Sequence, residues 1–226
     1  MVSRGGRADV AEVPAATLPG TPSRQAFPIK EDKLIELAKE FSNKKNGVQN
    51  EDMLAPDFRF EFQVISLDRK GYLNAVKSFN LDDAFENLEP HYYHWRVDPF
   101  EVNRVWYTTR VTGTHTKELS VFGKKFKPTG KTVLGGPEQQ SLVFNEKGQV
   151  RIFTGGYVVD RLVGNTKGLG GILGIFTALG VPVPWVFYNT LAWKVGVGIN
   201  YAILGASKFL NLITFGLWRK LTSKET

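Results

Sequence analysis

Apolar residues near the start of the chain recur at three- and four-residue intervals, which is the periodicity of an amphipathic helix. The first such run follows Pro28 and ends at Asn46-Gly47, and its apolar positions are Leu34, Leu37, Ala38 and Phe41. A second run follows Asp68, a residue type that caps helix N-termini, and its apolar positions are Tyr72, Leu73, Val76 and Phe79. The pattern therefore predicts two helices before residue 80.

Between and after these helices the pattern changes to alternation, which indicates half-buried strands. Residues 58–64 alternate strictly, and the longer predicted strands are residues 91–102, 104–116, 136–144 and 149–160. A Gly-containing turn at residues 145–148 joins the last two as a hairpin. The order helix, strand, helix and then an antiparallel meander predicts an α+β fold.

Residues 167–226 form a predicted apolar and basic helical tail. After Lys167, 26 residues carry no charge, and Pro182 and Pro184 interrupt them, so we do not expect one straight membrane span there. A longer helix is predicted from Pro184 to about Leu221. At ~1.5 Å per residue it is long enough to cross a hydrocarbon core.

The apolar stretch of this helix contains one charge, Lys208, which a helix lying in the headgroup region does not have to bury. We therefore favour an interfacial helix, or one docked on membrane-protein subunits, over a true span. Packing over the preceding domain as additional core is the other alternative. The predicted membrane- or partner-contacting residues are tryptophans and basic residues: Trp185, Trp193, Lys194, Lys208, Trp218, Arg219 and Lys220.

Composition and charge narrow the partners and the chemistry. The chain carries a net charge of +7 and is 42% hydrophobic. Because the basic excess falls on the apolar tail, it indicates anionic lipids rather than nucleic acid. The sequence has no cysteine and three histidines, none with an acidic residue at ligand spacing, so no metal site is predicted. No cofactor is expected, while a bound pigment or lipid stays open.

Residues 1–29 are rich in Ala, Pro, Gly and Arg, and they lack the apolar segment of a secretory signal. They are predicted to form an extended N-terminal arm. The predicted organisation is this arm, a domain over residues 30–166, and the tail over residues 167–226.

Three motifs within the predicted domain are recognisable. They are Gly-Thr-His within residues 112–118, Pro-Thr-Gly within 127–131, and a Gly turn within 144–150 before a last strand that leads to Asp160. This arrangement resembles the SnoaL-like polyketide cyclase family of the nuclear-transport-factor-two-like superfamily, over residues 30–160. The resemblance implies a cone-shaped α+β barrel, in which N-terminal helices lie on a curved antiparallel sheet. The fold hosts isomerases, cyclases, dehydratases and non-enzymes, so it does not by itself specify an activity.

The resemblance also implies two catalytic candidates. Asp160 matches the aspartate that acts as general acid and base beside a carbonyl in the cyclases, and His115 matches the histidine that orients the substrate. The alternatives are that Asp160 pairs with Arg161 or caps the end of its strand, and that His115 is a hydrogen-bonded structural group.

The predicted pocket-lining residues are mostly bulky: Trp95, Trp106, Tyr107, Arg110 and Phe153. Since several are aromatic and the tail could cover the mouth, we expect the cone to be largely filled or capped. Asp160 is then expected to make a structural hydrogen bond or ion pair.

Residues 155–171 also resemble SnoaL-like proteins from plastids of diatoms and related algae, which implies a chloroplast, thylakoid-associated location. The leading hypothesis is a non-catalytic accessory subunit of a membrane-associated, photosynthetic assembly. One alternative is an isomerase or cyclase that acts on an apolar pigment- or isoprenoid-like substrate with Asp160 as the base. The other is a lipid or pigment carrier.

Overall fold

The computed structural model describes residues 27–62, 65–121 and 123–183. Contacts divide the chain into a unit over Met1–Pro182 and a second over Val183–Thr226. Every helix and strand named below lies in the first unit. The four α-helices found in the described residues are α1 (Glu31–Asn43), α2 (Arg69–Lys77), α3 (Leu81–Ala84) and α4 (Gly171–Leu179), with a 3-10 turn at Glu51–Met53.

Six strands form the main sheet, in the order β2-β1-β10-β9-β4-β3. Two small sheets pair β5 with β8 and β6 with β7. The strands are β1 (Leu54–Phe62), β2 (Ile65–Asp68), β3 (Tyr93–Val97), β4 (Arg104–Thr109), β5 (Thr112–Thr114), β6 (Leu119–Val121), β7 (Lys124–Phe126), β8 (Thr132–Leu134), β9 (Glu138–Phe144) and β10 (Val150–Val158).

The predicted α+β class is confirmed: helices lie on a curved, open sheet. The prediction of an antiparallel sheet needs one correction, because β1 runs parallel to β10. A strand from the first third of the chain thereby pairs with the last strand, and the other adjacent pairs of the main sheet are antiparallel.

The two predicted helices form where the periodicity places them. In α1 the residues Leu34, Ala38 and Phe41 are fully buried, and the helix packs over β3 and β4. Asp68 caps α2 as predicted, since its Oδ1 accepts a hydrogen bond from the Gly71 N–H at 2.7 Å. That bond satisfies one of the backbone donors that a helix start leaves free.

The strand predicted over residues 91–102 is shorter and irregular. Only β3 remains, and His91 and His94 both adopt positive φ, at 48° and 57°. Pairing with β4 shifts between Tyr93 and Arg96. Because this irregularity breaks the alternation, Tyr92 and Trp95 both pack against the core of the domain, although residues three apart in a regular strand lie on opposite faces.

The buried residues form two cores. The main core lies between α1, α2 and the sheet and includes Phe41, Phe58, Tyr72, Tyr107, Phe144 and Phe153. The second core lies between α3, α4 and the small sheets and consists of Ala84, Phe85, Leu119, Val121, Val133, Ile175 and Leu179. Since α4 contributes to the second core, residues 171–179 of the predicted tail pack on the domain. The predicted boundary after residue 166 stays a prediction.

Candidate functional site: a cavity inside the cone

The cone contains a cavity with two lobes, of about 580 and 570 Å³. Volumes of this size are typical of small-molecule sites. The first lobe extends toward α1, α3 and β4, and the second lies between α2, β1, β10 and α4. The lobes adjoin, since both are lined by Asn46, Val76, Phe79, Leu81, Glu138, Gln140, Gly171 and Ile172.

The second lobe is predominantly apolar. Its walls are aromatic rings from β1, β10 and α4 and aliphatic side chains from β2, α2 and α4, among them Phe60, Phe62, Phe153, Phe176, Leu67 and Ile172. The rings of Phe60 and Phe62 stack at 5.8 Å, and Phe60 contacts Phe153 at 5.1 Å. Such a surface favours an apolar ligand, because each Å² of apolar area removed from water contributes about 25 cal/mol.

Glu138, the first residue of β9, lines both lobes and is only 5% exposed. Its Oε1 accepts hydrogen bonds from the Gly156 N–H and the Gln140 Nε2, each at 2.8 Å. Its Oε2 accepts from the Gly171 N–H at 2.7 Å. The carboxylate therefore connects β9, β10 and the first residue of α4 at the point where the lobes meet.

Two glycines make this arrangement possible. Gly156 has φ +85°, and a Cβ there would lie 2.2 Å from the Phe62 ring. A Cβ on Gly170 would lie 2.6 Å from Glu138 Oε2. Glycine permits both the left-handed backbone and the close approach, and the pairing of β10 with β9 shifts between Thr154 and Tyr157. The irregularity turns the Gly156 N–H toward the carboxylate.

Helix α4 covers the cavity and is held at its two ends by Glu138 of β9 and by Lys131, the residue before β8. Glu138 accepts from its first N–H, and the Lys131 Nζ donates to the Leu179 carbonyl oxygen at 2.7 Å. A negative group at the N-terminus and a positive group at the C-terminus both complement the helix dipole. The α4 sequence contains no charged residue of its own, so the charged groups at its two ends come from other parts of the domain.

Two tyrosine hydroxyls near the site stay neutral at physiological pH. Burial raises the pKa of Tyr92, which lines the first lobe, to about 12, and the negative charge of Glu138 adds to this rise. Burial also raises the pKa of Tyr72, which lines the second lobe and donates its hydroxyl to the Asn46 carbonyl oxygen at 2.8 Å. Neither group is a source of negative charge in the cavity.

The sequence-predicted catalytic residue Asp160 lies outside the cavity. Strand β10 ends at Val158, not at residue 160 as predicted, and Asp160 follows in an exposed turn. Its Oδ1 accepts from the Leu162 N–H at 2.9 Å. The structure thus places Asp160 in a local hydrogen bond and among the lining residues of neither lobe.

His115 is fully buried but also lines neither lobe. Its Nδ1 lies 3.1 Å from the Thr129 hydroxyl, and its ring packs against Phe85 at 5.3 Å. Burial lowers the pKa of this imidazole below its ordinary value. His115 and Asp160 are therefore not brought together at a common site.

Of the five predicted lining residues, Phe153 alone lines a lobe among the described residues. Tyr107 is fully buried and lines neither lobe, and Trp95 stacks on it at 4.3 Å. The Trp106 Nε1 donates to Asp98 at 2.7 Å. Arg110 is exposed and donates to the Gly135 carbonyl oxygen at 3.4 Å.

The expectation that the cone is filled by its own aromatics is wrong. Trp95 and Tyr107 occupy the main core, and the space between α2, the sheet and α4 stays open as the two lobes. The tail does contribute a cover, through α4.

Several predictions fall on residues that the structure does not describe. The arm up to residue 26 and the predicted membrane- or partner-contacting residues lie outside the described residues: Trp185, Trp193, Lys194, Lys208, Trp218, Arg219 and Lys220. Within the described residues, no helix has both the length and the apolarity needed to cross a membrane. In the same part of the chain, no three His, Asp or Glu side chains cluster as metal ligands would.

Sequence reasoning missed Glu138 and Gln140, although a signal for them exists. They alternate with Leu142 and Phe144 along β9, and both of those residues are fully buried. Because strand residues two apart share a face, the four side chains face the interior. Polar residues in register with core residues mark the end of the strand where the interior opens into a cavity.

No family model matches the chain, and no curated protein matches it. Among solved structures it is similar to a protein described as a SnoaL-like polyketide cyclase from Jannaschia sp. CCS1, with 18% identity, a TM-score of 0.47, and coverage of 68% of this chain and 95% of that one. It is also similar to AclR, described as a hydroxylase, from Streptomyces galilaeus, with 16% identity, a TM-score of 0.47, and coverage of 68% and 100%. A phenazine biosynthesis-related protein from Pseudomonas aeruginosa shares 13% identity, with a TM-score of 0.39 and coverage of 68% and 91%.

The first of these structures is described as SnoaL-like, which is the family that the sequence motifs resemble. Their identities and TM-scores are low, so they carry no argument about activity. The function has to be inferred from the cavity of this chain.

Proposed function

We propose that this protein binds a small, predominantly apolar ligand inside the cone and carries it without chemical change. The observation that supports this best is the two-lobed cavity, whose second lobe is walled by aromatic and aliphatic side chains. Mostly apolar, largely preformed cavities with a few polar groups are the usual form of small-molecule sites. Among the three hypotheses from the sequence, this is the carrier.

The positions of the two catalytic candidates support binding over catalysis by Asp160. A general base must lie within hydrogen-bond reach of the proton that it removes. Asp160 is in an exposed turn and His115 is enclosed in another part of the domain. Neither side chain can reach a ligand held in the lobes.

A second candidate function is proton transfer by Glu138, because this carboxylate does line both lobes. Its hydrogen bonds argue against that role. Three N–H donors point at its two oxygens, so the carboxylate is engaged in holding α4 and β10. Taking up a proton would weaken at least one bond that holds α4 or β10 in place.

The accessory-subunit hypothesis concerns other parts of the chain and stays a prediction. It depends on residues 1–26 and 184–226, through which we propose attachment to a membrane surface, anionic lipids or membrane-protein subunits. A chloroplast, thylakoid-associated location rests on the algal resemblance alone. A carrier attached to a membrane would have direct access to an apolar ligand.

Fluorescence of N-phenyl-1-naphthylamine, a neutral apolar dye, tests the proposal on the full chain. We expect saturable enhancement that Val76→Phe weakens by at least about tenfold, ~1.4 kcal/mol, because Val76 lines both lobes. The matched control is Val159→Phe, at a residue 70% exposed, which should bind as the parent does. Asp160→Asn should also bind normally.

Two results would count against the proposal. One is the absence of saturable enhancement with a folded protein, shown by circular dichroism. The other is equal weakening by Val76→Phe and Val159→Phe, which would mean that the dye binds outside the cone.

A further inference from the structure

The distribution of charge around the cavity is unequal. Among the described residues that line the second lobe, Glu138 is the one charged side chain. The first lobe has lysines at its rim, but each faces solvent and has an acidic partner: Lys45 pairs with Asp82, and Lys77 pairs with Glu51 at 2.6 Å. More than half of each lysine side chain is exposed, so neither supplies a buried counterion.

Glu138 has no cationic partner among the ion pairs of the described residues. A buried carboxylate is costly unless it is paired or hydrogen-bonded. Here the Gly156 and Gly171 N–H groups and the Gln140 amide supply hydrogen bonds, and the N-terminus of α4 adds a fraction of a positive charge. These donors offset the cost of burying the carboxylate, but they place no cation beside it.

The carboxylate also has an acceptor position left. Two ionised oxygens offer about four lone-pair directions, and three donors are in place. Two of them bind Oε1, and one binds Oε2. Oε2 can therefore accept one more hydrogen bond.

Two further side-chain oxygens near Glu138 accept no hydrogen bond within the described residues. Gln140 Oε1 and Asn46 Oδ1 are inaccessible to water and have no hydrogen-bond partner within the described residues, and both residues line both lobes. The Gln140 amide orientation is fixed by its Nε2, which donates to Glu138, since the flipped amide would place oxygen against oxygen. The Glu138 carboxylate therefore forms the polar end of the cavity, and the two enclosed oxygens near it are acceptors, not donors.

From this arrangement we infer that the ligand carries an ammonium group on an apolar body, with the ammonium at Glu138 and the body in the second lobe. This inference rests on the proposed binding function and specifies its ligand class. An ammonium offers several N–H donors, and its charge compensates a carboxylate in a place where water screens little. A carboxylate ligand would meet like charge, and a neutral alcohol would supply one donor without charge.

Competition against N-phenyl-1-naphthylamine, with ligands that share one apolar chain, tests the inference. Decylamine, decanol and decanoate differ in the head group, and each is used at neutral pH below its aggregation concentration. We expect decylamine to displace the dye at a concentration at least about tenfold below that of decanol, a difference of ~1.4 kcal/mol. Decanoate should compete least.

The competition experiment distinguishes a wrong ligand class from a wrong binding function. If the dye binds in the cone but decanol or decanoate competes as well as decylamine, the ammonium class is wrong while the carrier function stands. If the dye does not bind a folded protein, the binding function fails first.

Two variants locate the preference at Glu138. Glu138→Gln removes the charge and should bring decylamine and decanol to within about twofold of each other, about 0.4 kcal/mol, when both are measured against the dye affinity of that variant. Gln140→Lys places an ammonium of the protein beside Glu138 and should likewise remove the preference for decylamine. Folding of each is checked by urea unfolding, and an unchanged preference for decylamine in either folded variant would overturn the assignment.

Discussion

The cavity at Glu138 and the second core at His115 each bury a titratable side chain, but their surroundings differ. Glu138 adjoins open lobes and has acceptor capacity left. His115 is enclosed, with Phe85 on its ring and Thr129 on Nδ1. The comparison teaches that burial of an ionisable group does not mark a binding site unless space for a ligand lies beside it. The following variants test the comparison in order of expected effect.

Glu138→Leu should have the largest effect on stability. It leaves three N–H donors without their acceptor, and a buried unsatisfied donor costs about 1–3 kcal/mol. We expect a loss of at least ~3 kcal/mol in the free energy of unfolding, measured with urea. The matched control Glu89→Leu changes an exposed glutamate of the first lobe and should cost less than about 0.5 kcal/mol. A loss below ~1 kcal/mol for Glu138→Leu would show that α4 is held without the carboxylate.

Gly156→Ala should have the next largest effect. The new methyl would lie 2.2 Å from the Phe62 ring, at φ +85°, and we expect a cost of about 2–4 kcal/mol from the backbone and the clash together. Gly123→Ala is the matched control, because its φ is +75° and nothing lies within 4 Å of the added Cβ. Gly123→Ala should lower the free energy of unfolding by about 1 kcal/mol, and this loss measures the backbone strain at positive φ without a clash. Equal costs in urea unfolding would mean that Phe62 moves aside freely.

His115→Phe should have the smallest effect and should depend on pH. At about pH 7.5 we expect a cost of ~1 kcal/mol, because the bond to Thr129 is lost while a ring remains against Phe85. Burial lowers the pKa of His115 in the folded state, so the unfolded chain takes up the proton first as pH falls. The stability from the neutral imidazole is therefore present at higher pH and is lost on acidification.

The difference in unfolding free energy between the parent and His115→Phe should accordingly narrow between about pH 7.5 and about pH 5. Affinity for N-phenyl-1-naphthylamine should stay within about twofold of the parent. Two results would contradict the contrast between His115 and Glu138. One is a difference in unfolding free energy that widens toward acid pH, and the other is a large loss of dye affinity, and either would connect His115 with the cavity.

The sequence predicted the parts of the fold that depend on local pattern. The spacing of Leu34, Ala38 and Phe41 identified α1, and Asp68 identified the start of α2, because both signals act within one helix turn. The turn at residues 145–148 was identified for the same reason, and the Asn145 side chain accepts from the Lys147 and Gln149 N–H groups there.

The site was not predictable to the same degree, because it depends on contacts between distant segments. Whether Phe153 or Tyr107 faces the cavity is decided by the path of α1 and α2 above the sheet. The end of the last strand was mispredicted, since β10 ends two residues before Asp160, but the structural hydrogen bond expected for Asp160 is present. Glu138 was overlooked because the polar residues at positions 138–140 suggest a solvated strand end unless they are compared with Leu142 and Phe144.

The parallel pairing of β1 with β10 has a consequence for synthesis of the chain. Leu54 pairs with Val150, about a hundred residues later, and contacts between such distant positions form slowly because a long loop must close. During translation α1, α2 and β1 leave the ribosome well before their central partner strand exists. Until β10 is synthesised, the sheet beside β1 is incomplete, and β1 carries Phe58, Phe60 and Phe62. The nascent protein therefore has its greatest need of a chaperone between the synthesis of β1 and the synthesis of β10.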